Sequence, residues 1–140
     1  MTRQEFGKRF LEVFATGIPP KLLKKYHIGL DKPFLWNLFG AKLIPCFEGD
    51  AARIEYDKAD KTNAQMIEYD ADWLNPFLDR TTFSSQPLPI EMLTAEGVDA
   101  HLFPESYIWG EDFSWCYVIT HEGDLCGPYF CYNPKLLDNE

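Results

Sequence analysis

Phe6, Phe10, Leu11 and Phe14 recur at the spacing of one helical face. Ahead of them, Thr2-Arg-Gln-Glu5 fits a capping box, in which the threonine hydroxyl accepts from the third helical N–H and the glutamate reaches back to the cap. Gly17 and Pro19-Pro20 close the pattern, so the sequence predicts a helix over 3–15. Lys21-Leu-Leu-Lys-Lys-Tyr26 reads as a short second helix with its lysines in solvent. Pro33 to Phe39 is aromatic, short and flanked by Pro and Gly, which suggests a strand. Ala51 to Lys61 follows as a helix begun by Asp50, with Ala52, Tyr56 and Ala59 inward and Arg53, Asp57 and Lys58 outward. Ala64 to Tyr69 alternates as a strand does.

From Asp70 to Pro104, prolines and the polar run Thr81 to Gln86 predict a long loop region, broken by helical turns at Trp73–Leu78 and Ile90–Thr94. Alternation returns in the last third. Ser106–Trp109, Phe113–His121 and Leu125–Tyr132 are short aromatic runs separated by Gly110-Glu-Asp112 and Gly123-Asp124, an antiparallel meander. The expected fold is therefore α+β, with N-terminal helices packed on one face of a mostly antiparallel sheet that ends in the C-terminal β-meander. No linker, low-complexity segment or repeat divides the chain, so 1–140 reads as a single domain.

A two-residue loop at Gly123-Asp124 fixes a register. It sets His121 opposite Cys126, Ile119 opposite Pro128, Tyr117 opposite Phe130 and Cys116 opposite Cys131. Trp115, Tyr117, Ile119, Phe130 and Tyr132 then share one face, directed at the helices. Cys116, Val118, Thr120, Tyr129 and Cys131 share the other. Pro128 lacks an N–H, which an edge strand tolerates. A three-residue loop, Glu122-Gly-Asp124, would instead put Thr120 opposite Cys126 and exchange the faces of the second strand.

Composition narrows the function. The 140 residues carry 13 basic against 22 acidic side chains, a net charge of −9 that opposes phosphate backbones and anionic lipid. Nucleic acid and membrane are thus not expected partners. No run approaches the ~18 apolar residues of a membrane span, and charges interrupt the N-terminus where a secretory core would lie. A cytoplasmic location is expected, with Cys46, Cys116, Cys126 and Cys131 reduced.

Candidate chemistry centres on the hairpin. Cys126 as nucleophile with His121 as base would suit a hydrolase or acyl-transfer enzyme, because a thiolate needs a neighbouring base. Against that, a histidine beside a polar turn is usually a strand-end residue, and no helix N-terminus stands behind Cys126. Zinc is not expected, since C-x4-H-x4-C-x4-C lacks the close cysteine knuckles of structural sites. No phosphate loop, dinucleotide fingerprint or Gly-x-Ser-x-Gly elbow occurs, and no cofactor is expected. The favoured reading is a small acidic protein-interaction module without enzymatic activity, with the Cys126/His121 enzyme as its alternative. The module would bind a basic protein through Trp109, Glu111, Asp112, His121 and Glu122, as a monomer or weak dimer. Immunity toward a toxin is one concrete form.

The segments Phe-Ser-Trp-Cys-Tyr-Val-Ile-Thr-His-Glu122 and Cys-Gly-Pro-Tyr-Phe130 resemble the C-terminal signature of a bacterial family described as domain of unknown function 4275. Phe34-Leu-Trp-Asn-Leu-Phe39 and Cys46-Phe-Glu-Gly-Asp-Ala-Ala52 resemble its earlier segments. The likeness runs from about residue 30 onward. It implies a small, single-domain cytosolic protein and carries over no catalytic residue.

Overall fold

Thr2 begins the first helix as its sequence requires: its hydroxyl accepts from the Glu5 N–H at 3.1 Å, and the Glu5 carboxylate accepts from the Thr2 N–H at 3.3 Å. This computed structural model describes residues 1–29, 35–68, 85–101, 106–120 and 127–137. Its helices are α1 (Arg3–Phe14), α2 (Pro20–Lys25), α3 (Asn37–Gly40), α4 (Asp50–Lys58), α5 (Ala95–His101) and α6 (Pro134–Leu137). Its strands are β1 (Phe47–Glu48), β2 (Gln65–Glu68), β3 (Gln86–Pro87), β4 (Ser106–Trp109), β5 (Trp115–Ile119) and β6 (Tyr129–Tyr132). The six strands form one antiparallel sheet in the order β1-β6-β5-β4-β2-β3, so the chain is α+β as its pattern predicts.

The C-terminal register is that of the two-residue loop. Trp115 pairs with Tyr132, Cys116 with Cys131, Tyr117 with Phe130 and Val118 with Tyr129. Gly123-Asp124 itself lies outside the described residues. Strand β6 is interior, because Phe47 pairs with Phe130 on its other side, so Pro128 precedes a central strand and not an edge.

Alternation sorts the sheet into two cores. Tyr107, Trp109, Cys116, Val118, Tyr129 and Cys131 meet the helices α1 and α3 through Phe6, Phe10, Phe14, Leu38 and Phe39. Met66, Ile108, Trp115, Tyr117 and Phe130 meet α4 and α5 through Ala52, Tyr56, Ala95 and Val98. The aromatic face does pack on helices, but on α4 and α5; the N-terminal helices take the Cys116/Cys131 face. Both faces are therefore covered. Phe6, Phe10 and Phe14 are fully buried at helical spacing, each burial stabilising by about 2–3 kcal/mol.

Several local expectations change. Leu35 to Phe39 forms a turn leading into α3, not a strand: Leu35, Leu38 and Phe39 are buried at i, i+3 and i+4, which is helical periodicity. Lys42 then adopts φ 58°, with its N–H bonded to the Phe39 carbonyl and the Leu43 N–H to the Leu38 carbonyl, a Schellman ending. Helix α4 is capped by Gly49 at φ 65°, with Asp50 in its first turn, and it stops at Lys58. Ile90–Met92 is a 3-10 turn as predicted, followed by α5, which the sequence pattern does not reveal. Phe113 belongs to a 3-10 turn at Glu111–Phe113, so β5 starts later than expected. The turn expected at Trp73–Leu78 lies outside the described residues.

Candidate functional site: an acidic helical layer

The outer surface of α4 and α5 is built by hydrogen bonds between the two helices. Asp57 on α4 accepts from the Ala95 N–H at 2.8 Å, and Arg53, one turn earlier, reaches Asp99 at 3.0 Å and Asp50 at 2.9 Å. The helices thus lie antiparallel, with Tyr56 below them donating from its hydroxyl to the Met92 carbonyl. Tyr117 stacks on Tyr56 at 4.2 Å, and burial pushes both phenols up.

Carboxylates crowd this layer. Asp50, Asp57, Glu91, Glu96 and Asp99 are all exposed, and the series continues through Asp60 to Glu111 and Asp112. The Asn63 side-chain amide donates to Glu111 at 3.1 Å, so the 110–113 turn abuts the loop leaving α4. Nearby cations are engaged. Arg53 sits between two aspartates, and Lys58 lies 3.6 Å from Glu55. Lys61 turns inward to the Tyr56 and Ala59 carbonyls and lies 4.3 Å over the Tyr56 ring, where burial lowers its pKa. It caps the end of α4 with its charge. Among the carboxylates stand exposed apolar residues, Ile90 at 80%, Ile54 at 55% and Leu93 at 39%.

The structure separates the residues singled out by sequence. Trp109 is buried at 4%, stacked on Phe113 at 5.2 Å and against Phe6 at 4.7 Å, so no exposed ring exists there. The reason is alternation: position 109 faces α1. Glu111 and Asp112 are exposed, Asp112 at φ 56°. His121, Glu122 and Cys126 lie outside the described residues, following Thr120 at the end of β5. Sequence reasoning missed Ile54, Ile90, Leu93 and the carboxylates around them. Ile90 next to Glu91 in a proline-rich stretch was the available signal.

Burial raises the pKa of all three described thiols. Cys131 donates to the Pro45 carbonyl at 3.3 Å, and burial, with Cys46 nearby, raises it to about 12. Cys116 is fully buried and raised well above an ordinary thiol. Cys46 stands in a cavity of about 460 Å³ walled by the 39–48 segment. Burial and then Glu48 raise it to about 11, against Lys42. A thiol held protonated is a poor nucleophile. Among the described residues, no three His, Cys, Asp or Glu side chains are placed to hold a metal ion, and no helix is long and apolar enough to cross a membrane.

A family model described as a domain of unknown function (DUF4275) matches residues 3–130. No curated protein and no solved structure matches the chain.

Proposed function

The chain belongs to the DUF4275 family, and from that premise we propose that it is an acidic protein-interaction module whose binding face is the α4–α5 layer. One observation carries this reading: the exposed carboxylates Asp50, Asp57, Glu91, Glu96 and Asp99 share α4, α5 and the turn before α5 with the solvent-facing Ile54, Ile90 and Leu93, while Arg53 and Lys61 beside them are bonded within the fold. Uncompensated charge accelerates encounter with a basic partner, and apolar side chains supply contact area once it docks. Neutralising a basic toxin is one concrete form of such binding. Glu111 and Asp112 extend the face; Trp109 serves the core on the opposite side of the sheet, under α1.

Titration calorimetry against a purified, strongly basic ribonuclease tests the proposal. The chain should bind, and affinity should fall steeply with added salt. The triple variant Glu91→Gln/Glu96→Gln/Asp112→Asn should weaken binding and flatten its salt dependence. Ile90→Ser should weaken binding at every salt concentration. Affinity indifferent to salt and to all these substitutions would discard the reading.

A further inference from the structure

The net charge of −9 is a sum over two unlike regions. Residues 1–43 hold eight Lys and Arg against three Asp and Glu, whereas residues 44–140 hold five against nineteen. The helices of the first region and the helices α4 and α5 of the second lie on opposite faces of the sheet. Helices α1 and α2 pack on the Cys116/Cys131 side, with Leu11, Leu23 and Tyr26 against that core. Lys8, Arg9, Lys21, Lys24, Lys25 and Lys42 are exposed, and Glu5 and Glu12 are the exposed carboxylates of α1 and α2. Arg9 lies 3.7 Å from Glu12, which leaves the lysines in excess. Leu22, exposed at 36%, stands among those of α2. The α4–α5 layer on the opposite side carries the carboxylates and its own exposed aliphatics.

Whole-molecule charge does not decide what each layer attracts. A helix is about 10 Å across, and a helix on each side of a sheet sets the outer surfaces roughly 20 Å or more apart. Exposed charges are screened over about 8 Å at physiological ionic strength. Each layer therefore presents its own sign to an approaching surface.

We propose that the α1–α2 layer docks on the α4–α5 layer of a second copy of this chain, giving weak, salt-sensitive, head-to-tail association. The inference rests on the α4–α5 layer being an interaction face and names one basic partner for it. Charge complementarity selects the arrangement. A two-fold pairing of either layer with itself would set like charges together, while front-to-back contact brings lysines to carboxylates and Leu22 toward the Ile90 side. Such a contact is heterologous, joining two different surfaces. The overall negative charge opposes growth, so the species formed are small.

Sedimentation velocity of the full chain at about 20 mM and about 300 mM salt tests this. At low salt the weight-average mass should rise with concentration, and at high salt the chain should be monomeric, association weakening by about tenfold or more. Lys21→Gln/Lys24→Gln/Lys25→Gln should be monomeric alone, and so should Glu91→Gln/Glu96→Gln/Asp112→Asn. Mixed, the two variants should form a 1:1 complex and nothing larger, because each retains one competent layer. A wild-type chain that stays monomeric at low salt while polylysine still binds its acidic layer would overturn self-association and leave the interaction face standing. Failure of polylysine as well would remove both. A lysine layer that binds a duplex oligonucleotide or anionic vesicles in preference to a second copy would overturn the proposal in favour of a polyanion.

Discussion

The Asp57 carboxylate of α4 accepts the backbone N–H of Ala95, the first residue of α5, at 2.8 Å. A helix start leaves N–H groups without intrahelical partners, and here one is satisfied by a neighbouring helix. Asp57→Ala should cost about 1 kcal/mol in urea denaturation, and Asp57→Asn, which keeps an acceptor, should cost less. Arg53→Ala removes a partly exposed pair with Asp99 and should cost no more than about 0.5 kcal/mol. The order of the three variants is the check.

Phe6 is fully buried, with its ring 4.7 Å from Trp109, 5.2 Å from Tyr107 and 5.8 Å from Phe10. It joins α1 to the middle of the sheet. Phe6→Ala should destabilise by about 3–5 kcal/mol, with loss of the tryptophan emission of the native state in a thermal melt. Lys8→Ala, on the exposed side of the same helix, should leave the midpoint nearly unchanged.

Gly97 sits where a Cβ would come within 1.9 Å of the Glu91 backbone oxygen. Backbone cannot rotate aside as a side chain does, so Gly97→Ala must separate α5 from the 3-10 turn bearing Ile90. A loss of about 1–3 kcal/mol is expected. Affinity for the basic ribonuclease should drop too, because the turn and helix carry Ile90, Glu91 and Glu96. Normal stability with normal binding would refute this account of the junction.

Alkaline pH should destabilise the fold through its thiols. Burial raises Cys46 from 9.0 to about 11 and Cys131 from 9.0 to about 12. The native state thus holds these protons more tightly than the unfolded chain, and the stabilisation is fully present below pH 9.0 and is lost as pH climbs toward those values. The urea midpoint should fall as pH rises from about 9 toward about 11, and Cys46→Ala should make the decline shallower. Tyr132, raised to about 12 by burial and its bond to Glu55, steepens the decline at the upper end.

What was legible in the sequence depended on how far each signal reached. The capping box, the Phe6–Phe14 stripe and the alternation from Ser106 onward are local, and each element appears with the β5–β6 pairing that a two-residue loop dictates. Leu35 to Phe39 misled because aromatic content was weighed above the i, i+3, i+4 spacing of its apolar residues. Strands β1 and β3 are two residues each and exist only through their neighbours, so no periodicity could announce them. Trp109 looked available because Gly110, Glu111 and Asp112 follow it; its burial is set by α1, about a hundred residues away. The acidic layer escaped because Asp57, Glu91, Asp99 and Asp112 come together only after folding, and because a single net charge averaged them with the lysines of α1 and α2.

The outermost strands carry a last consequence. Phe47–Glu48 closes the sheet at one rim and Gln86–Pro87 at the other, the latter containing a residue that has no amide hydrogen to donate. Among the described residues each rim is a strand of two residues, which leaves little backbone there for lateral sheet extension.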